Sequence, residues 1–79
     1  MQLFNENISY NISMEIGDII KSLRIEHKMT QSQLATLLFT SQDTISLWER
    51  NKSYPDVKTV IKLTQIFNVS ADYILGLED

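Results

Sequence analysis

Gln42, Asp43 and Ser46 bring an amide, a carboxylate and a hydroxyl to one short stretch, with Leu47 and Arg50 close behind. At about 100° per residue these five share one arc of a helix, while Thr44, Ile45, Trp48 and Glu49 share the other. A glutamine amide carries a donor and an acceptor side by side and can pair with N6 and N7 of adenine. A carboxylate can accept from N4 of cytosine, a hydroxyl can reach a base edge or a backbone oxygen, and an apolar side chain can meet the thymine methyl. The same residues also suit a solvated turn and helix start. In that reading Asp43 complements the helix N-terminal dipole and Leu47 is a singly exposed leucine.

Other chemistries have less support. His27 is the only histidine and there is no cysteine, so a zinc site or a disulfide cannot be assembled. His27 has no evident nucleophile and there is no glycine-rich phosphate loop; neither an enzyme nor a cofactor is expected. The 79 residues are 43% hydrophobic and 22% charged, with two Gly and one Pro, the composition of one small globular domain. No apolar run approaches the ~20 residues of a membrane span. The N-terminus lacks the basic-then-apolar order of a signal peptide, so a cytoplasmic protein is expected. A formal charge of −3 argues against a polyanion partner, but the charge is unevenly placed. Residues 1–20 hold Glu6, Glu15 and Asp18 and no cation, and residues 72–79 hold Asp72, Glu78 and Asp79 and no cation; all seven cations lie in residues 21–71. A polyanion partner for the middle stays open.

The elements that must position the polar arc follow from periodicity and caps. Ile8, Tyr10, Ile12 and Met14 alternate with Ser9, Asn11 and Ser13, a period of two. Residues 1–13 therefore read as an arm, either a disordered tail or a short strand that packs on the domain or pairs with a second copy. From residue 14 onward the period is helical. Ser13 is the expected N-cap of a helix with the stripe Ile16, Ile19, Ile20 and Leu23. Thr30-Gln31-Ser32-Gln33 has the form of a capping box and opens a helix with Leu34, Ala35, Leu37 and Leu38. Ser41 caps a third, about 42–50. Asp56 caps a fourth, with Val57, Val60, Leu63, Thr64 and Phe67. Asn68 suits a left-handed residue, and Ser70 caps a short fifth helix ended by Gly76. The fold class is all-α, a five-helix bundle.

Two helices joined across residues 39–41, with small Ala35 where a close crossing needs it, form a helix-turn-helix pattern. In order around it stand Ile16-Gly17-Asp18-Ile19-Ile20-Lys21-Ser22-Leu23-Arg24, Thr30-Gln31-x-x-Leu34-Ala35, Ser41-x-x-Thr44-Ile45-Ser46-x-Trp48-Glu49, Lys52-x-x-Pro55, and Asn68-Val69-Ser70-x-Asp72-Tyr73-Ile74-Leu75-Gly76. With these blocks the sequence, over roughly residues 15–77, resembles the phage-repressor type of helix-turn-helix, the Cro/C1 or XRE class. The resemblance implies a lambda-repressor-like DNA-binding fold over residues 14–79, with motif helices about 31–38 and 42–50. It implies a phage- or prophage-like transcription regulator, a repressor that binds double-stranded operator DNA as a homodimer. The second motif helix would enter the major groove, on a palindrome whose half-sites lie about one helical turn, ~34 Å, apart.

On that resemblance Gln42, Asp43, Ser46 and Leu47 are candidate base contacts. Gln31, Ser41, Thr44, Arg50, Lys52 and Ser53 are candidate phosphate contacts, Gln31 with the alternative of capping alone, and Lys58 and Lys62 also read as a solvated face. So few cations imply modest non-specific affinity. Glu49 lies on the inward arc, where an unpaired carboxylate is costly; the resemblance places it with Arg24 as a buried bridge beneath the reading helix. Tyr73, Ile74 and Leu77 are dimer candidates, Ile74 equally a monomer core residue. Phe39 stands where the family usually has Gly, and Lys28 and Asn51 where Gly is common. Phe39 is expected to be compensated by burial, or the turn to differ. The rival reading is a helix-turn-helix protein-interaction module, an antitoxin or regulator-binding partner with weak DNA affinity, which the acidic balance and Phe39 favour.

Overall fold

The structure, a computed structural model, describes residues 15–78. Five helices follow one another within them: α1 (Ile16–Glu26), α2 (Gln31–Leu37), α3 (Gln42–Glu49), α4 (Val57–Phe67) and α5 (Ala71–Ile74), with no strand among the described residues. The expected arm at 1–13 lies outside those residues.

Each helix starts where a side chain replaces water on an otherwise unpaired backbone N–H. Thr30 Oγ1 accepts from Gln33 N at 3.0 Å while Gln33 Oε1 accepts from Thr30 N at 2.8 Å, the reciprocal box. Ser41 Oγ accepts from Thr44 N at 3.2 Å, Asp56 Oδ1 from Thr59 N at 2.8 Å and Ser70 Oγ from Tyr73 N at 3.0 Å. Hydrogen bonds from Thr59 hold the Asp56 carboxyl below its ordinary range. What this cap adds to stability is therefore present above the ordinary aspartate value and lost as pH falls through the lower folded one. The first helix differs from expectation. Its N-cap is Glu15, not Ser13, and Glu15 N donates to the Asp18 carboxylate at 3.2 Å.

The core joins Ile19, Ile20 and Leu23 of α1 to Leu34, Ala35 and Leu38 at α2. To these it adds Ile45 and Trp48 of α3, Val60, Leu63 and Phe67 of α4, and Ile74 of α5. Ile20, Leu34, Ile45, Leu63 and Ile74 are fully enclosed, each contributing about 1.5–3 kcal/mol of burial. Of the expected stripes, Ile16 and Thr64 are only partly buried and two residues are exposed: Leu37 is 49% exposed and Val57 76%. Each of these two sits roughly 90° or more around its helix from the centre of the buried face. Ile74 is removed from the dimer candidates, because the monomer core leaves it no surface to offer.

α1 packs against α3 so closely that Gly17 is obligatory. A Cβ there would lie 1.9 Å from the Trp48 carbonyl oxygen and 2.5 Å from Asn51 Oδ1. Asn51 adopts φ 59° at the end of α3, accepts from Gly17 N at 3.0 Å through Oδ1 and donates through Nδ2 to Asp18 at 3.4 Å. It thus ties the end of one helix to the start of another.

Lys28, Phe39 and Asn68 are also left-handed, at φ 57°, 56° and 56°. For Phe39 neither expected compensation is found. The turn keeps its left-handed residue, and the side chain is 90% exposed. Its ring lies 5.7 Å from Lys62 Nζ, a surface cation–π contact of roughly 0.5–1 kcal/mol that only partly offsets the 1–2 kcal/mol or so of the left-handed conformation.

Two stability measurements test this account. Gly17→Ala should cost at least about 2 kcal/mol and lower Tm by roughly 8–16 °C, since the blocking atom is backbone; an unchanged Tm contradicts the close approach. Phe39→Gly should raise stability by about 1 kcal/mol in urea melts, and a loss of stability would show that the exposed ring contributes more than its one visible contact.

Candidate nucleic-acid interface

α3 is held by one arc and presents the other. Ile45, Trp48 and Glu49 are buried, whereas Gln42, Asp43, Leu47 and Arg50 are exposed and Ser46 is partly so. Because the helix is only Gln42–Glu49 long, its polar first turn and its anchors are separated by a single turn of backbone.

Beneath α3 the chain buries a charge. Glu49 Oε2 accepts from Arg24 Nε at 2.6 Å and Glu49 Oε1 from Arg24 Nη2 at 3.0 Å, with side-chain exposures of 12% for Arg24 and 3% for Glu49. Arg24 Nη1 also donates to the Met29 carbonyl at 2.8 Å. One guanidinium thus joins α1, the loop before α2, and α3. The forked hydrogen bonds to Glu49 raise the Arg24 pKa from its ordinary value against the opposing pull of burial. A raised cationic pKa contributes stability that is complete below the unfolded arginine value, so this contribution is constant through the neutral range.

A polar chain leads from this pair to the surface. Gln31 Nε2 donates to Glu49 Oε1 at 3.0 Å, Gln42 Nε2 donates to Gln31 Oε1 at 3.4 Å, and Ser32 Oγ donates to Gln42 Oε1 at 3.1 Å. Gln31 therefore does not serve the α2 cap, which Thr30 and Gln33 complete between themselves. Sequence reasoning missed Ser32. It stands one residue from Gln31, but only the crossing of α2 over α3 brings its hydroxyl to Gln42, and spacing carries no signal of that.

The remaining candidates surround this centre. The Ser41 and Thr44 hydroxyls lie 2.9 Å apart at the first turn of α3. Arg50 Nε donates to Ser46 Oγ at 3.3 Å, so Arg50 folds back along the outer arc. Lys52 is exposed and Ser53 partly so in the loop after α3. Tyr73 and Leu77 are exposed at the far end, around α5. Among the described residues no cluster suits a metal ion, and no helix is long and apolar enough to cross a membrane.

Removing the guanidinium tests the buried pair. Arg24→Ala strands Glu49 and should cost about 3 kcal/mol, a fall in Tm of roughly 12–24 °C; a variant melting with the wild type refutes the coupling.

Comparison with known proteins follows the same outline. The helix-turn-helix family model HTH_3 matches residues 20–74. The HTH-type transcriptional regulator ImmR of Bacillus subtilis is 35% identical over 66 residues, covering 84% of this chain and 52% of ImmR. The HTH-type transcriptional regulator DicA of Escherichia coli is 37% identical over 68 residues, 85% of this chain and 50% of DicA. The HTH-type transcriptional activator BcrR of Enterococcus faecalis is 35% identical over 66 residues, 84% of this chain but 32% of BcrR. The chain thus spans about half or less of these relatives' lengths. Among solved structures, the P22 c2 repressor in complex with a synthetic operator superposes with TM-score 0.77 at 27% identity, covering 84% of this chain and all of that one. A transcriptional regulator from Listeria innocua gives TM-score 0.77 at 25% identity, with 82% and 61% covered. The fold is therefore lambda-repressor-like, and the chain belongs to the helix-turn-helix family, in its Cro/C1 or XRE class.

Proposed function

We propose that this chain is a DNA-binding transcriptional regulator whose α3 reads base edges in the major groove. We propose further that it is a repressor acting as a homodimer on a palindromic operator. The observation that carries the reading is the exposed polar arc of a helix whose other arc is fixed in the core. Gln42, Asp43, Ser46 and Leu47 make the base contacts. The P22 c2 repressor, solved with a synthetic operator, and relatives named as transcriptional regulators support the class.

Around the reading helix, Gln31, Ser41, Thr44, Arg50, Lys52 and Ser53 meet phosphates, with Arg50 and Lys52 supplying the charge. Gln31 keeps a second amide hydrogen beyond the one that Glu49 takes. Dimer contacts come from Tyr73 and Leu77, exposed near the end of the chain.

One observation favours a second reading, a protein-interaction module. Phe39 holds an aromatic ring almost wholly in solvent at a left-handed backbone position, a cost that its one contact inside the monomer, with Lys62, offsets only in part. A protein partner on that surface and DNA on α3 are separable by substitution.

Selection from random duplexes should return a palindromic consensus. Gln42→Ala should then lower affinity for it by about ten-fold or more, while Gln31→Ala with Gln42→Ala abolishes selective binding and leaves any protein partner bound. With two phosphate-facing cations per copy, log Kd against log salt should have a slope of about 4 for a dimer. The absence of any consensus removes the regulator reading.

A further inference from the structure

The structure assigns a specificity-determining role to Ser32, a residue outside the expected contact set: we propose that it holds the Gln42 amide in the one orientation that accepts adenine and rejects guanine. The inference rests on the proposal that α3 reads bases, and deepens it.

The orientation follows from donor and acceptor inventory. The Glu49 carboxylate, bound to Arg24, has only acceptors, so Gln31 must turn Nε2 towards it, and the observed distance is 3.0 Å. That places Gln31 Oε1 on the side facing Gln42, which must answer with a donor, its Nε2 at 3.4 Å. Gln42 Oε1 is then left to Ser32, whose Oγ lies at 3.1 Å and donates. A flipped Gln42 amide would set its oxygen against the Gln31 oxygen, two acceptors face to face.

Ser32 is the other jaw of this clamp. The Gln31 contact is long and holds the amide at one atom only; an exposed glutamine held at one atom still swings about its last torsion. With Ser32 bound to the oxygen, both ends of the amide are fixed. One N–H and one carbonyl lone pair remain free, the complement of adenine N7 and N6. Guanine presents two acceptors there, N7 and O6, and the fixed Gln42 oxygen meets O6 with repulsion. Without Ser32 the amide can turn away from O6 and tolerate guanine. The buried carboxylate thus sets the polarity, and the serine makes it rigid.

The test starts from the consensus duplex chosen by the wild-type chain and locates the adenine whose preference disappears in Gln42→Ala. Affinity is then measured for that duplex and for its adenine-to-guanine variant, using the wild type, Ser32→Ala and Ser32→Thr. The wild type should prefer adenine by about ten-fold or more. Ser32→Ala should cut the ratio to about three-fold or less, and Ser32→Thr, which keeps the hydroxyl, should restore it to within about two-fold of wild type. A ratio is insensitive to a general loss of folded protein. Ser32→Ala with the wild-type ratio, an equal loss on both duplexes, or no recovery in Ser32→Thr overturns the clamp while leaving the regulator reading intact. A wild-type chain that selects no consensus, or none with a Gln42-dependent adenine, overturns the clamp as well, and the first of these also removes the function on which it rests.

Discussion

A carboxylate placed inside a domain of this size is unfavourable unless every lone pair it turns inward finds a donor. Glu49, at the inner end of α3, meets that condition with three N–H donors from two other helices, two from Arg24 and one from Gln31. The gain is chiefly geometric. A buried ion pair commonly contributes little net stability compared with apolar packing, but it admits few arrangements, because shifting any partner strands a charge. α1, α2 and α3 are consequently held to one another by angle and register as well as by apolar contact. Gly17 beneath Trp48 and Asn51 across to α1 add a second fixed point at the other side of the same helix.

That constraint explains how so short a helix can present a defined surface. Eight residues are too few to be stable alone, and α3 owes its shape to Ser41 at its start, Ile45 and Trp48 in the core, and Glu49 at its end. The exposed arc inherits the rigidity of the buried one. The turn ahead of it shows the opposite tendency: Phe39 takes a left-handed conformation without burial, a strain tolerated because α2 and α3 on either side fix the backbone.

Local chemistry made much of this legible in the sequence. The caps at Thr30, Ser41, Asp56 and Ser70 depend on residues three apart, and the αL position at Asn68 on where helical periodicity stops; those at Lys28, Phe39 and Asn51 came from the family resemblance, which has Gly there. Periodicity also separated Ile45, Trp48 and Glu49 from the polar arc. What depended on three-dimensional placement was not legible. Val57 and Leu37 fit an apolar stripe in type but lie at its margin. The first cap falls at Glu15 rather than Ser13, where Asp18 three residues on accepts from the Glu15 backbone N–H. The chain from Glu49 through Gln31 and Gln42 to Ser32 depends on the crossing of α2 and α3, which no spacing rule encodes. The family resemblance supplied the Arg24–Glu49 pairing; the apolar pattern alone indicated only that Glu49 needed a partner.

In the proposed function the network does two things at once: it holds α3 in place, and it carries the polarity of a buried charge to an exposed amide. The most direct test of the reading is an NMR titration of the ¹⁵N-labelled chain with its selected duplex. The account predicts that the side-chain NH₂ signals of Gln31 and Gln42, and the backbone amides of Gln42, Asp43, Ser46 and Leu47, shift together and most strongly. Shifts confined to other surfaces, with these signals unmoved at saturation, would contradict it.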